Sequence, residues 1–378
     1  MSATDNRKTR VLLGLTGLEI GGGIASVAHS FTRALDELAM EGCLDRVDRV
    51  LLQDDPAAPP APPPRGDQLF SRDRQRRFVW QLWRSLRRHR HDFVLFDQLG
   101  PARSSRLPLP GFPPRYAIFC HGIELEAADR GQRGRTLAGA WRLLTNSERT
   151  AEQVRRMHPG VADRIRVTPL CIDPRKTAVW AGEAPAAGGR RSLAALMVGR
   201  MWSEERGKGH DAVIEAWAPI RRRLPDAELW IAGAGDDRPR LEEKAARRAP
   251  SGVRFLGRVS DAELGRLYQR AAVFVMPSRQ EGFGLVYAEA LWHGLPCIAS
   301  TRDAAGEVIE AGETGLLVPF GDVDAIGGAM QELLSDAERR SRMGDVARRR
   351  ARERFGYANF RAALIAALDL PPASSVSI

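Results

Sequence analysis

Cysteine is scarce in this 378-residue chain: Cys43, Cys120, Cys171 and Cys297 stand far apart, in or beside apolar runs. That spacing excludes a disulfide framework and a cysteine-based metal motif, so the thiols are expected to be reduced core residues. Long hydrophobic runs are missing as well. No segment reaches the ~20 apolar residues of a membrane span, and the opening MSATDNRKTR lacks the apolar core of a secretion signal, so a cytoplasmic location is expected. Acidic residues are outnumbered, 47 Asp and Glu against 57 Lys and Arg, for a formal charge of +10. Such an excess calls for an acidic partner, and charge alone leaves nucleic acid, an anionic membrane and phosphorylated substrates open. No nucleic-acid recognition module is visible, so nucleic acid is not an expected partner.

What is present is alternation. Apolar, β-rich runs at Val11 to Leu15, Arg49 to Leu52, Phe93 to Phe96, Ala117 to Cys120, Leu143 to Thr145 and Ile165 to Thr168 are separated by helical patterns, the first from about Ile24 to Ala39. Residues 54–67, DDPAAPPAPPPRGD, read as an extended surface loop, because proline suits neither a central strand nor a helix interior. The stretch Pro174 to Arg191, rich in Ala, Gly and Pro, reads as an interdomain linker. Alternation then restarts, with strands at Leu193 to Val198, Glu228 to Ala232, Val253 to Leu256, Val273 to Met276, Cys297 to Ala299 and Leu316 to Val318. Two doubly wound, Rossmann-like α/β domains facing one another across a central cleft are expected. Between Arg72 and Arg90, Phe78, Val79, Leu82, Trp83 and Leu86 recur at helical spacing opposite many arginines. That helix suits either an anionic membrane surface or ordinary packing with solvated arginines.

The segment MPSRQEGFGLVYAEALWHGLPCIAS, Met276 to Ser300, is the most informative. A strand ending at Pro277, a Gly-Phe-Gly turn and a helix from Leu285 to His293 would leave the amides of Gly282, Phe283, Gly284 and Leu285 unpaired at a helix N-terminus, where an anion is favoured. Glu281 precedes the turn and Glu289 lies about one helical turn beyond it, placed to accept from vicinal hydroxyls. Diol and phosphate together suggest a sugar nucleotide; the plain alternative is an acidic residue complementing the dipole and a surface glutamate. Upstream, Arg200 follows a strand and Lys208 opens a helix, a fork and a point charge suited to a diphosphate, although chance pairs of this kind are common in so basic a chain. Asp322 and Asp324 form an Asp-x-Asp pair, read as a helix cap rather than a metal site. The glycines at Gly14, Gly17 and Gly21 to Gly23 lack Gly-x-Gly-x-x-Gly spacing, which weakens a nicotinamide reading.

Val198-Gly199-Arg200, Lys208-Gly209, Ile231 through Gly235, Val253 through Gly257, Glu281 through Glu289 and Gly315 through Pro319 follow in that order, and with them the chain resembles glycosyltransferase family 4, the retaining sugar-nucleotide enzymes of the GT-B fold. The resemblance covers Leu193 to about Leu334. It is thinner in the first half, where it rests on Gly21 to Gly23, His121-Gly122, Asn146-Ser147 and Pro169 to Asp173. The interval from Arg200 to Lys208 is longer than in many members and leaves Trp202 to Gly207 without a role.

The resemblance implies an acceptor-side domain over residues 1–180, a donor-binding domain over 187–354, and a C-terminal helix, about 355–378, packing back on the first domain. It implies that Arg200 and Lys208 hold the donor diphosphate, Glu289 the ribose, and Glu281 with the amides of Gly282 to Leu285 the transferred sugar. Gly22 and Gly23 would let the first domain approach the donor, and His121 would lie near the reacting sugar, with a capping or core histidine as its alternative. The implied substrates are a nucleoside diphosphate sugar and a saccharide or lipid-linked saccharide acceptor, with no cofactor and no metal. A nucleotide-sugar epimerase or hydrolase on the same scaffold is the second reading.

Overall fold

The computed structural model describes residues 8–20, 22–107, 115–122, 125, 131–182 and 191–372. Gly21, residues 183–190 of the expected linker, and the C-terminal tail from Ala373, expected to be loose, lie outside them. The chain divides into two compact units, Met1–Asp173 with Tyr357–Ile378, and Pro174–Gly356.

The first unit is built on β1 (Thr9–Leu15), α1 (Gly22–Met40), β2 (Leu44–Leu51), β3 (Gln68–Phe70), α2 (Gln75–His89), β4 (Phe93–Phe96), α3 (Leu99–Ala102), β5 (Tyr116–Cys120), α4 (Gln132–Gly139), β6 (Arg142–Thr145), α5 (Glu148–Met157) and β7 (Ile165–Val167). Its strands pair in parallel in the order β3-β2-β1-β4-β5-β6-β7. Parallel strands are covered on both faces, which is why their sequences are continuous apolar runs rather than alternating ones. Val11 to Leu13, Leu15 and Leu95 are fully buried. The helix read from the Arg72–Arg90 segment packs: Phe78, Leu82 and Leu86 of α2 join the sheet core, while Arg76, Arg77, Trp80 and Arg84 are exposed. The proline-dense stretch carries no helix or strand and is pinned through Gln68 Nε2 to the Pro60 carbonyl (2.9 Å) and an Arg49 guanidinium to that of Ala61 (3.0 Å).

The second unit comprises α6 (Pro174–Ala181), β8 (Ala194–Val198), α7 (His210–Arg223), β9 (Glu228–Ala232), α8 (Arg238–Arg248), β10 (Val253–Gly257), α9 (Asp261–Arg270), β11 (Val273–Met276), α10 (Leu285–Trp292), β12 (Cys297–Ser300), α11 (Ala305–Val308), β13 (Gly315–Val318), α12 (Val323–Ser335) and α13 (Ala337–Arg354). Its parallel order is β10-β9-β8-β11-β12-β13. In both sheets the order reverses beside the first strand, at β1/β4 and at β8/β11, and ligands of such sheets bind beyond the strand C-termini at that switch point.

The linker expectation is corrected over its first half. Pro174 occupies the start of α6, where a missing N–H costs nothing, so the residue that reads as a breaker begins a helix. That helix belongs to the second unit because Trp180 seats on Gly265 of α9, where a β-carbon would come within 2.4 Å of the indole, and donates from Nε1 to the Asp261 carbonyl at 2.9 Å. Arg191 ties the same region together, donating to the carbonyls of Tyr268 (2.7 Å), Ala271 (2.9 Å), His293 (2.6 Å) and Gly294 (3.2 Å). The last helix, α14 (Tyr357–Ala367), returns to the first unit and packs on α1. There the Tyr357 hydroxyl donates to Glu37 at 2.7 Å, and the Arg33 guanidinium lies 4.5 Å from the tyrosine ring centroid.

Candidate active site

In the second unit the switch point gathers three loops. After β8 come Gly199 and Arg200; a 3-10 turn over Ser203–Lys208 then leads through Gly209, in the left-handed region (φ +93°), into α7. A β-carbon on Gly209 would lie 2.6 Å from the Pro277 carbonyl, so glycine is what lets this turn close against the end of β11. Arg279 N–H donates to the Gly207 carbonyl at 2.7 Å and fixes the two loops together. The consequence is an ion pair across them, Lys208 Nζ to Glu281 Oε2 at 2.5 Å, with both side chains half-buried.

The interval without a role in the sequence proves to be a brace for that lysine. Ser203 donates from its backbone N–H (2.8 Å) and its hydroxyl (2.7 Å) to Asp236, and the Arg206 guanidinium donates to Asp237 at 2.9 Å. Arg240 bridges Asp237 and Asp211, at 2.7 Å to each, and Lys244 adds a contact to Asp211 at 2.8 Å. The Arg240 hydrogen bond, followed by Lys244, holds the Asp211 carboxyl well below the usual range. Beside it His210 is buried, and burial pushes its imidazole down to about 4, so it stays neutral at physiological pH. Gly233 and Gly235 complete the packing. A β-carbon on either would fall 1.9 Å from the carbonyl of Gly199 or Met201, so the β9–α8 loop lies flat on the β8–α7 loop only as glycine.

Gly284 is left-handed (φ +88°) and forms the N-cap of α10, which starts at Leu285. The N-cap glycine supplies no side-chain acceptor; Tyr287 N–H turns back on the Gly284 carbonyl at 2.9 Å, and the start of such a helix favours an anion. Phe283 is buried, with its ring edge-on to Phe355 at 5.7 Å. Gly294 is the left-handed stop of the helix (φ +67°).

Glu289 departs from its expected open position. It is 3% exposed, and both carboxylate oxygens are already engaged, Oε1 by Lys176 Nζ at 2.7 Å and Oε2 by the Tyr268 hydroxyl at 3.1 Å. Lys176 reaches it from α6, over a hundred residues upstream, which no local pattern could reveal. Arg200 is separate from the Lys208–Glu281 pair: its exposed guanidinium contacts Glu205 at 2.8 Å. Asp322 caps α12, accepting from Ala325 N–H at 2.9 Å. Replacing Lys176 by Ala is expected to destabilise the second unit by about 3 kcal/mol, because it strands a buried carboxylate; a shift in the urea midpoint checks this.

The switch point of the first unit is organised by Asp97, at the end of β4. Its carboxylate accepts from the Thr16 N–H (2.7 Å) and hydroxyl (3.1 Å), and its carbonyl accepts from His121 Nε2 at 2.8 Å, which puts the imidazole proton on Nε2. Asn146 Nδ2 donates to the His121 carbonyl at 3.0 Å. Asp54 accepts from the N–H groups of Leu18 (2.7 Å) and Glu19 (2.9 Å), shaping the loop that leads to Gly22 and Gly23, both exposed at the start of α1. Burial raises Asp97 to about 7 despite the Thr16 hydrogen bonds. An acid whose folded pKa lies above its unfolded value binds more protons when folded, so its contribution to stability is lost as pH rises from about 4 through about 7. Asp97→Asn, which keeps an acceptor for Thr16, is expected to flatten the stability profile over that window in thermal melts.

Comparison with known proteins gives the family and the fold. The model for glycosyltransferase family 4 matches residues 21–176, and that for glycosyl transferases group 1 matches residues 193–336. The chain belongs to this family. A GDP-mannose-dependent monoacylated alpha-(1-6)-phosphatidylinositol monomannoside mannosyltransferase of Corynebacterium glutamicum is 36% identical over 148 residues, 37% of this chain and 38% of the relative. The match thus spans well under half the length of that relative. Among solved structures, sucrose-phosphate synthase of Thermosynechococcus elongatus superposes with a TM-score of 0.76 at 21% identity, covering 96% of this chain and 98% of the other. Anabaena HepE, in complex with UDP and glucose, gives 0.74 at 17% identity over 96% and 99%. The fold is GT-B.

Proposed function

We propose that this protein transfers a sugar from a nucleoside diphosphate sugar to an acceptor hydroxyl with retention at the anomeric carbon. The observation that carries the reading is the Lys208–Glu281 pair, which brings a cation and a carboxylate from two loops to the switch point beside the uncapped start of α10. Breaking the sugar–phosphate bond sends an electron pair to the diphosphate and leaves positive charge on the anomeric carbon. Lys208, Arg200 and the helix amides would stabilise the departing diphosphate, so no metal need be invoked for that task. Glu281 and the amides of Gly282 to Leu285 would hold the transferred sugar, with Lys208 exchanging its carboxylate partner for phosphate when donor binds. Glu289 would meet the ribose only after yielding one of its present contacts. In the first unit, His121 would lie near the reacting sugar, and Gly22 and Gly23 would admit the donor without side-chain obstruction.

The Corynebacterium relative is GDP-mannose-dependent and the Anabaena structure holds UDP and glucose, which supports a nucleoside diphosphate sugar and leaves the base open. The acceptor is proposed to be a lipid-linked or envelope saccharide, supported by the phosphatidylinositol mannoside acceptor of the Corynebacterium relative. Among the described residues no helix is long and apolar enough to cross a membrane. Contact with an anionic membrane is proposed through the outward face of α2, where Arg84 stacks 5.2 Å from the half-exposed Trp80 ring. Flotation with anionic liposomes tests this; a protein that stays wholly unbound at low salt would count against it. Screening donors for released nucleoside diphosphate tests the transfer itself, and an epimerised sugar nucleotide as product would reject it.

A further inference from the structure

A cavity of about 270 Å³ opens at the opposite edge of the first sheet, where the strands begin. Arg10 near the start of β1, Asp45 and Arg46 at the start of β2, Arg65 ahead of β3, and Arg88 with His89 at the end of α2 line it. Asp45 is the one carboxylate in the lining itself, with Asp67 behind it, 3.3 Å from His89 Nε2. Two of the four guanidinium groups are fixed: Arg10 contacts Asp45 at 2.5 Å and donates to the His89 carbonyl at 3.0 Å, and Arg46 contacts Asp48 and Asp67, each at 2.7 Å. Arg65 and Arg88 are exposed, and neither pairs with a carboxylate of a described residue. The wall between them depends on Gly66, where a β-carbon would fall 1.9 Å from the Val47 carbonyl.

Cations in the last turn of α2 would be expected simply to complement the helix dipole, but that dipole amounts to only about half a negative charge. It explains Arg88 and does not explain Arg65, nor the concave arrangement of all four. The cavity lies below the ~300–1,000 Å³ of sites for drug-sized ligands, which suits a compact anion rather than a whole sugar nucleotide. Its place at the strand N-termini separates it from the switch point.

We propose that this cavity binds a phosphate-bearing anion, either a free phosphorylated molecule or the headgroup of an anionic lipid. Arg10 and Arg46 form the preset floor, and Arg65 and Arg88 close on the anion as charge-assisted donors. His89 reports occupancy. Its pKa is held below the ordinary value by burial and by Arg46, with His91 acting in the same sense and Asp48 and Asp67 opposing. A bound phosphate would raise it.

The test follows the His89 ring by NMR in the full chain, assigned with His89→Gln, while inorganic pyrophosphate or phosphatidylcholine vesicles containing phosphatidic acid are added. This readout is local, so pyrophosphate bound near Lys208 leaves it unmoved. If the anion is free, pyrophosphate raises the His89 pKa, and Arg65→Ala/Arg88→Ala, with its melting curve unchanged, weakens that response about tenfold or more. If it is a headgroup, pyrophosphate has little effect and vesicle binding falls by a similar factor in the double variant. Trp80→Ala/Arg84→Ala, on the outer face of α2, lowers only the vesicle binding. Equal binding by wild type and the double variant in both arms, or no response of His89 to either ligand, overturns the proposal.

Discussion

Replacing Lys208 by Ala is expected to lower kcat by about 10²- to 10³-fold, the range seen when one electrostatic stabiliser of a developing charge is removed. The ammonium is placed by three independent restraints: Gly209 closing on Pro277, the Arg279–Gly207 backbone bond, and the ion pair to Glu281. Charge accumulates on the diphosphate as the sugar bond breaks, so the loss falls on kcat more than on KM. Folding should survive, because Glu281 remains partly solvated, with a side chain 17% exposed. Lys208→Arg should recover part of the rate, since a guanidinium restores the charge while changing its geometry. Steady-state release of nucleoside diphosphate, compared with thermal melts of the same variants, separates lost chemistry from lost structure. Wild-type kcat in Lys208→Ala would remove the lysine from the proposed site.

Gly233→Ala is expected to destabilise the second unit by about 4 kcal/mol or more, within the range of severe point mutations. Two causes combine at this position. Its φ of +142° lies in a region that L side chains rarely adopt, and a β-carbon would meet the Gly199 carbonyl at 1.9 Å, a backbone atom that has no rotamer by which to retreat. Gly312 is the control. Its φ is +83° with open space around it, so Gly312→Ala should cost only the left-handed backbone penalty, about 1–2 kcal/mol. Denaturant midpoints of the two variants should therefore differ clearly. Equal midpoints would mean that the contact of the β9–α8 loop with the β8–α7 loop is not close-packed.

The core strands were legible because burial on both faces writes itself as unbroken apolar runs: Phe93–Phe96, Glu228–Ala232 and Val273–Met276 begin and end where their residues say. Short or polar elements were not. β3 is three half-buried residues, Gln68–Phe70, too few for any period. α13 hides its contact face in Met343, Ala347 and Ala351, spaced four apart among arginines, so small side chains carry the stripe that large ones usually announce. In the site, Glu281 and the Gly282–Leu285 turn could be placed locally, since strand, glycine turn and helix start lie in one segment, whereas the pairing of Lys208 with Glu281 joins two βα units and could not. The partners of Glu289 could not, because Lys176 comes from α6 and Tyr268 from α9. Nor could the bracing role of Arg206, which depends on Asp237 in another βα unit.

The central claim is sugar transfer with retention, and the most direct test is one product analysis. Purified protein is incubated with α-configured nucleoside diphosphate sugars and a saccharide acceptor, and the products are examined by NMR. Free nucleoside diphosphate and a new glycosidic bond whose anomeric configuration is still α are expected, both formed far more slowly by Lys208→Ala. A β-linked product, or an epimerised sugar nucleotide with no diphosphate released, would contradict it.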